Sequence, residues 1–373
     1  MQLSSPTNNA ELPLLRRRID GPISARICIQ GREYINFFGS GYLALAGLPE
    51  LREAGLQAIR SGAAFSRQVP SLLGGCDPIF EDVERLGAVG MGTESSVYFA
   101  SGYLIGLVGL AIAASSFDRI LIDDCAHYCL KDGAKLTGLP VHTFAHCDVE
   151  ALTTELRRPF CNKQRPLVAT DGVFATTGRV PPLGDYARAI APYDGRLFID
   201  ESHAFGVVGR AGRGGAEYCG VEDLVASGAT LSKAFCAQGA LVGCSAEAAV
   251  QIRSLPAVRG ACAGSPISAA VSSASLGYVA AHPELRQELS VLTDYFRERL
   301  RGIGLNVIES PAPIVSFRCG SRRDMQALQG RMLERGIHIY HSTYLGAGEE
   351  GMIRCAVFRD HSKADIDALV TSI

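Results

Sequence analysis

This sequence predicts an α/β fold: a mostly parallel sheet covered by helices, followed by a smaller α+β region. Three observations predict it. Between Ser96 and Asp200 short apolar runs of strand length alternate with helical stretches. Those runs are apolar throughout rather than alternating with polar residues, as strands buried on both faces are. After Ser245 the pattern changes to two long helices and then scattered short strands. The expected division is an arm over 1–45, a large domain over 46–250 and a small domain over 251–373.

In chain order, residues 1–35 read as an arm with a short helix, Glu11–Arg18, and then an extended segment. Ile35–Leu43 reads as a strand running into a glycine-rich turn. A helix is expected over Leu51–Arg60 after Pro49, and an irregular loop over Ser61–Cys76. Pro78 opens the helix Ile79–Val89, a first-turn position that suits proline. The strand Ser96–Ala100, the turn Ser101-Gly102-Tyr103 and the apolar helix Leu104–Ala114 come next. Strands are expected at Arg119–Asp123, Val141–Ala145, Pro166–Asp171 and Gly195–Asp200, with helices at Ala126–Thr137 and Asp148–Arg157 between them. The last part reads as helices Pro266–Ala280 and Pro283–Arg301, strand Pro313–Arg318, helix Arg323–Arg335, strands Ile337–Tyr340 and Met352–Val357, and a closing helix Ser362–Val370 with Ser362 as N-cap.

The composition narrows the function classes. The chain has 373 residues, 47% hydrophobic and 20% charged, with a net charge of −2 and no long run of one sign. Neither a nucleic-acid partner nor an anionic membrane surface is suggested. The longest apolar stretches, such as Leu104–Ala114, are too short to span a bilayer. Met1–Asn9 lacks the basic-then-apolar layout of a signal peptide. The twelve cysteines therefore read as free thiols, and the expected location is cytoplasmic. Cys125 and Cys129 lie near His142, His146 and Cys147, but no paired Cys-x-x-Cys ligand set appears, and no metal is expected.

Four features could carry chemistry. Lys233 is one of only five lysines, and it sits between apolar segments, Thr230-Leu231 and Ala240-Leu241-Val242. A buried ammonium is costly unless paired or neutralised. One reading is a lysine that forms an imine with an aldehyde cofactor; the other is a lysine snorkelling from a strand end. Asp200, in Asp200-Glu201-Ser202-His203, ends an apolar strand, where it either pairs with a cation such as a protonated pyridine or caps the next turn. Ser101-Gly102-Tyr103 stands at a helix N-terminus, where backbone N–H groups can hold a phosphate. His127 is either a satisfied core histidine or a ring stacked on a flat cofactor.

Taken together, the motifs Tyr42-Leu43-Ala44-Leu45, Ser101-Gly102-Tyr103, Asp171-Gly172-Val173-Phe174, Asp200-Glu201-Ser202-His203, Thr230-Leu231-Ser232-Lys233 and Arg354 followed by His361 resemble those of the α-oxoamine synthases. This family of pyridoxal 5'-phosphate enzymes has the fold-type-I aminotransferase-like fold, with a mostly parallel seven-stranded sheet. The resemblance implies Lys233 as the Schiff-base lysine and the base at the substrate Cα. It further implies Asp200 as partner of the pyridine nitrogen, His203 on the cofactor's phenolic oxygen, and His127 on the ring face. The same resemblance implies that Ser101, Gly102, Tyr103 and Thr230 hold the phosphate, that Arg354 binds the amino-acid carboxylate, and that Gly41 and Ala175 stand at substrate-binding positions. The implied activity joins an amino acid to an acyl thioester, on CoA or a carrier protein, usually with loss of carbon dioxide, to give an α-aminoketone. A homodimer with shared active sites is implied as well. Alternatives on the same scaffold are transamination, aldol-type cleavage or condensation without decarboxylation, and a non-catalytic scaffold subunit, against which Lys233, Asp200 and His203 together argue.

Several positions depart from the family pattern. Ser40-Gly41 stands where Asn-Asp or Asn-Asn is usual, and Ala44 replaces a glycine. Ala175 replaces a serine, Gly106 an asparagine, Phe80 a histidine and Cys236 a glycine. The segment Ala261-Cys262-Ala263-Gly264 lacks the hydroxyls that reach a partner's phosphate, and a proline is missing near Tyr344. The departures cluster on the substrate side, which predicts a changed substrate and a role in secondary metabolism or signalling. The Ser202 form of the Asp-Glu-Ser-His motif is similar to that of the α-hydroxyketone autoinducer synthases.

Overall fold

The structure, a computed structural model, describes residues 18–70, 73–158, 165–261 and 264–373. All but the last residue of the helix expected over Glu11–Arg18, and the middle of the 261–264 segment, lie outside the described residues. The strands are β1 (Ile19–Asp20), β2 (Arg26–Ile29), β3 (Arg32–Asn36), β4 (Ser95–Phe99), β5 (Arg119–Asp123), β6 (Val141–Phe144), β7 (Pro166–Asp171), β8 (Arg196–Asp200), β9 (Val225–Thr230), β10 (Ala240–Cys244), β11 (Ile314–Phe317), β12 (Ile337–His338), β13 (Tyr340–Ser342) and β14 (Met352–Ala356).

Seven of them form the central sheet in the order β4-β10-β9-β8-β7-β5-β6. The run from β9 to β6 is parallel, and β10 lies antiparallel to both β9 and β4. Side chains alternate between two cores, as the two-residue strand period requires. Ile120, Ile122, Leu167, Ala169 and Phe198 face one cluster; Leu121, Val168, Leu197 and Ile199 face another. Helices Leu104–Ala113 and Tyr128–Leu136 cover the first face, and Val149–Arg157 and Leu183–Ile190 the second. Both faces are dry, which is why these strands carry no polar alternation.

Strands β9 and β10 are absent from the elements expected above. Val225–Thr230 reads Val-Ala-Ser-Gly-Ala-Thr, small residues with little strand propensity of their own; pairing with β8 and β10 makes it a strand. Helices Leu183–Ile190 and Ala246–Ser254 also lie outside those expectations. The strand expected over Ile337–Tyr340 is in fact two, because the chain changes partners at the buried Ile339. β12 pairs with β3 and completes the sheet β1-β2-β3-β12, whereas β13 pairs with β14 in the sheet β11-β14-β13. The strands of residues 19–36 thus share a sheet with β12. Ser362 caps the closing helix Lys363–Ser372, and Asp365 reciprocates in a capping box.

Candidate active site

The carboxyl ends of the parallel strands place the acidic groups. Asp171 and Asp200 end adjacent strands and are paired in register, so two buried carboxylates lie side by side. Asp171 Oδ2 accepts the N–H of His127 at 2.8 Å. Asp200 Oδ1 accepts the N–H of Ser202 at 2.9 Å, and the Cys129 thiol donates to its Oδ2 at 3.3 Å. Burial and then the neighbouring Asp200 charge push the Asp171 carboxyl well above its ordinary range. Asp171 is therefore the carboxyl of the pair that more readily holds a proton.

Lys233 lies in the turn joining β9 to β10. That turn is pinned from both sides: Leu231 N–H donates to Gly239 O at 2.8 Å, Ala237 N–H to Leu231 O at 2.9 Å, and Cys236 N–H to Lys233 O at 3.0 Å. Ser202 Oγ accepts the Thr230 N–H at 3.1 Å, so the unusual serine ties the Asp200 turn to the strand leading into Lys233. Burial lowers the affinity of the Lys233 amine for its proton, while Asp200 and Asp171 oppose that shift. The amine is thus poised nearer neutrality than a solvated lysine.

The turn at 101–103 meets Thr230 directly. A Cβ on Gly102 would lie 2.8 Å from Thr230 Cβ, so only glycine lets the phosphate-type turn and the lysine strand approach. Ser101 Oγ accepts the Tyr103 N–H at 3.3 Å. Thr230 Oγ1 is 3.0 Å from Gly239 O and 2.8 Å from Ser232 Oγ. The Thr230 and exposed Ser232 hydroxyls and the Gly239 carbonyl thus form one hydrogen-bonded group beside the turn.

A chain of donors runs from Arg354 to His203. Arg354 donates from Nε to Ala175 O at 2.6 Å, from Nη1 to Gly39 O at 3.1 Å and from Nη2 to Tyr42 Oη at 3.4 Å. Each Nη keeps one further N–H, a fork suited to a carboxylate. Burial pushes the Tyr42 phenol up to about 12, so it stays protonated and donates to His203 Nδ1 at 2.7 Å. Burial, with Lys233 next, holds His203 well below its ordinary value. His203 is then neutral, with Nδ1 accepting and the proton on Nε2. His127 caps helix Tyr128–Leu136, its Nδ1 accepting the Cys129 N–H at 3.2 Å, and burial keeps it neutral as well. Its ring lies 6.2 Å from Tyr103 and 6.4 Å from Tyr344, centroid to centroid.

The departures from the family pattern have local reasons. A Cβ on Gly41 would meet Cys236 Sγ at 3.2 Å, so the cysteine fills space beside the missing side chain. Ala44 (φ 55°) and Cys236 (φ 51°) both adopt the left-handed conformation, at a cost of roughly 1 kcal/mol each. A Cβ on Gly106 would stand 2.0 Å from the Cys129 carbonyl oxygen; its helix is in backbone contact with helix Tyr128–Leu136. Phe80 stacks on Tyr98 at 5.9 Å. Asp123, Asp124, Cys125 and His146 converge, and Asp123 accepts from the N–H groups of Cys125 and Cys147 and pairs with the His146 ring; Cys129 points elsewhere, to Asp200. Tyr42, Cys129 and Ser232 are site residues to which the sequence expectations gave no role, and Asp171 was expected only at the ligand edge of the sheet. For Asp171 the signal was present: it ends an apolar strand just as Asp200 does. Nothing in sequence pairs Tyr42 with His203 or Cys129 with Asp200.

Comparison with known proteins agrees with this geometry. The family model for aminotransferases of class I and II matches residues 42–373. A putative 8-amino-7-oxononanoate synthase of Trichormus variabilis is 32% identical over 360 residues, 94% of this chain and 92% of the relative. The 8-amino-7-oxononanoate synthase of Geotalea daltonii is 29% identical over 372 residues, covering 96% and 92%. Among solved structures, serine palmitoyltransferase of Sphingomonas wittichii superposes with a TM-score of 0.88 at 22% identity, covering 99% of this chain and 97% of that one. An 8-amino-7-oxononanoate synthase of Francisella tularensis superposes with a TM-score of 0.75 at 20% identity, covering 91% and 96%. The fold is that of the fold-type-I enzymes, and the chain belongs to the class I and II aminotransferase family, in its α-oxoamine synthase branch.

Proposed function

We propose that this protein is a pyridoxal-phosphate-dependent C-acyltransferase. It condenses an amino acid with an acyl thioester, on CoA or a carrier protein, releasing carbon dioxide and the free thiol and leaving an α-aminoketone. The observation that carries this reading is Lys233, a half-buried amine drawn toward neutrality between the strand-end carboxylates Asp171 and Asp200. The donor set fits the cofactor. Asp200 offers a charged acceptor for the pyridine nitrogen, His203 an Nε2–H for the phenolic oxygen, and the 101–103 turn with Thr230 and Ser232 a nest for the phosphate. A solved serine palmitoyltransferase of this fold carries pyridoxal phosphate. When bound, the cofactor supplies an electron sink for negative charge at the amino acid's Cα. The protein's own groups do the rest. Lys233 anchors the cofactor, then takes and returns the proton at Cα. Arg354 orients the substrate carboxylate with its free fork, and His127 shields one face of the ring.

The same reading includes a homodimer, supported by the exposed apolar residues Ile59, Phe65, Leu73 and Val89 on and around helices Pro49–Arg60 and Pro78–Met91. It also includes a cytoplasmic location; among the described residues no helix is long and apolar enough to cross a membrane. The reading also divides the chain into an arm over 1–45, a large domain over 46–250 and a small domain over 251–373.

Incubating the protein with a panel of amino acids and acyl-CoAs, and following free thiol, tests the reaction. Thiol release with at least one donor is expected, and Lys233→Ala should lose both that release and the visible band of bound cofactor. A second reading, another reaction on the same scaffold, is favoured by Gly41 and Ala175, which offer no side-chain hydrogen bond to a substrate. Keto-acid formation without thiol release for any donor would select it and sink the first.

A further inference from the structure

Asp200 is held by two donors, and one of them is a thiol. Cys129 is fully buried, and its Sγ lies 3.3 Å from Asp200 Oδ2. Close packing brings it there. Helix Leu104–Ala113 presses Gly106 against the backbone of helix Tyr128–Leu136 at Cys129, and Gly133 of that helix presses back on the Gly106 carbonyl. One turn on, Gly109 packs against the ring of Phe198, two residues before Asp200 on β8; a Cβ there would lie 2.1 Å from that ring. A single helix thus sets the position of both the thiol and the strand bearing the carboxylate. The remaining charged and titratable groups around Asp200 are Asp171 on β7, the adjacent Glu201, Lys233 in the β9–β10 turn and His127. Burial and the Asp200 charge raise the thiol's affinity for its proton, so Cys129 stays an S–H donor.

We propose that Cys129 is a positioning residue that tunes Asp200: its S–H orients the carboxylate and lowers its proton affinity, so that a proton shared with the cofactor's pyridine nitrogen stays on the nitrogen. A donor to one carboxylate oxygen stabilises the charged form and leaves the carboxylate a weaker competitor for that proton. The inference rests on the cofactor assignment of the preceding section.

The test uses apo-protein titrated with pyridoxal phosphate by absorbance, and the ring nitrogen resonance of the ¹⁵N-labelled cofactor bound to it. In Cys129→Ala, binding should weaken about three- to tenfold, the scale of one weak hydrogen bond to a charged group, and the resonance should move toward that of unprotonated pyridine. Cys129→Ser, which restores a donor, should return both to within about twofold and near the wild-type position. Cys129→Val fills the space without a donor and should behave like Ala; it decides the matter if the Ala variant fails to fold. Wild-type binding and an unmoved resonance in the Ala or Val variant would overturn the proposal, as would a Ser variant impaired as much as Ala. Wild-type protein that takes up no cofactor would instead overturn the cofactor assignment, and this inference with it.

Discussion

Two glycine-to-alanine substitutions in helices of this protein should have opposite signs. Alanine is the better helix former by about 0.5–1 kcal/mol, so propensity alone predicts stabilisation at both. Gly330 lies exposed in helix Arg322–Glu334 with nothing within 4 Å of an added Cβ, and Gly330→Ala should gain that amount. Gly106 lies where two helices touch backbone to backbone, with the added Cβ 2.0 Å from the Cys129 carbonyl oxygen and 2.8 Å from the Leu130 nitrogen. Restoring ordinary contact requires the helices to part by roughly 1 Å, an overpacking penalty of about 3 kcal/mol. With an unfolding entropy of about 2.1 cal/mol/K per residue, that is a fall in Tm of about 4 °C for Gly106→Ala, against a rise of about 1 °C for Gly330→Ala. Differential scanning calorimetry of both variants at one scan rate measures this. Because the shift also carries Cys129 away from Asp200, Gly106→Ala should bind pyridoxal phosphate more weakly, whereas Gly330→Ala should bind as wild type. A Tm for Gly106→Ala equal to or above wild type would refute the close-packing argument.

Other perturbations probe the donor chain and the buried imidazoles. Tyr42→Phe leaves His203 Nδ1 without its donor in a buried site; it should cost about 1–3 kcal/mol and change the Nδ1 resonance of His203 in ¹⁵N spectra, and an unchanged resonance would mean the assigned tautomer is wrong. Burial holds His361 down to about 4 from an ordinary 6.5, while its Nδ1 accepts the Phe358 N–H at 3.0 Å and its ring stacks on Phe37 at 4.3 Å. The unfolded chain then takes up this proton first as pH falls. Stability contributed by neutral His361 is whole above about pH 6.5 and is lost toward pH 4, by roughly 2–3 kcal/mol at pH 4.5. His203 adds in the same direction. The raised Glu201 and Asp171 carboxyls act in the opposite sense over this range, so urea denaturation between pH 7 and 4.5 is read as the difference between wild type and His361→Asn, whose amide oxygen can still accept the Phe358 N–H. Wild type should lose more stability than the variant by that amount, and equal pH dependence in the two would remove His361 as a source.

Much of the large sheet was legible because its strands are buried on both faces. Arg119–Asp123 and Pro166–Asp171 stand out in the sequence at their observed limits, and the acidic residue ending β7 and β8 marks the ligand edge. Local signals did as well at the helix ends: Pro49, Pro78 and Ser362 each start a helix as proline or a capping serine should. What stayed hidden depends on neighbours far along the chain. β9 is small and nearly featureless until β8 and β10 flank it. Residues 337–342 divide between two sheets because β3 and β14 lie on opposite sides of Ile339. Ser202, which suggested a substrate difference, turns out to brace the backbone of Thr230.

By itself the sequence determined the α/β plan, because hydrophobic patterning is local. It also singled out Lys233, Asp200, His203 and His127 as candidates, because a buried lysine or carboxylate is a costly feature that shows in any chain and the motifs around them resemble those of the α-oxoamine synthases. Tertiary structure alone decided how those groups are wired. Asp171 shares the charge problem of Asp200, Tyr42 sets the tautomer of His203 from 161 residues away, Cys129 reaches Asp200 from 71 residues away, and Cys236 occupies the space beside Gly41. Each is a contact of a few ångströms between distant parts of the chain, set by how helices and strands pack, and no pattern along the sequence encodes it.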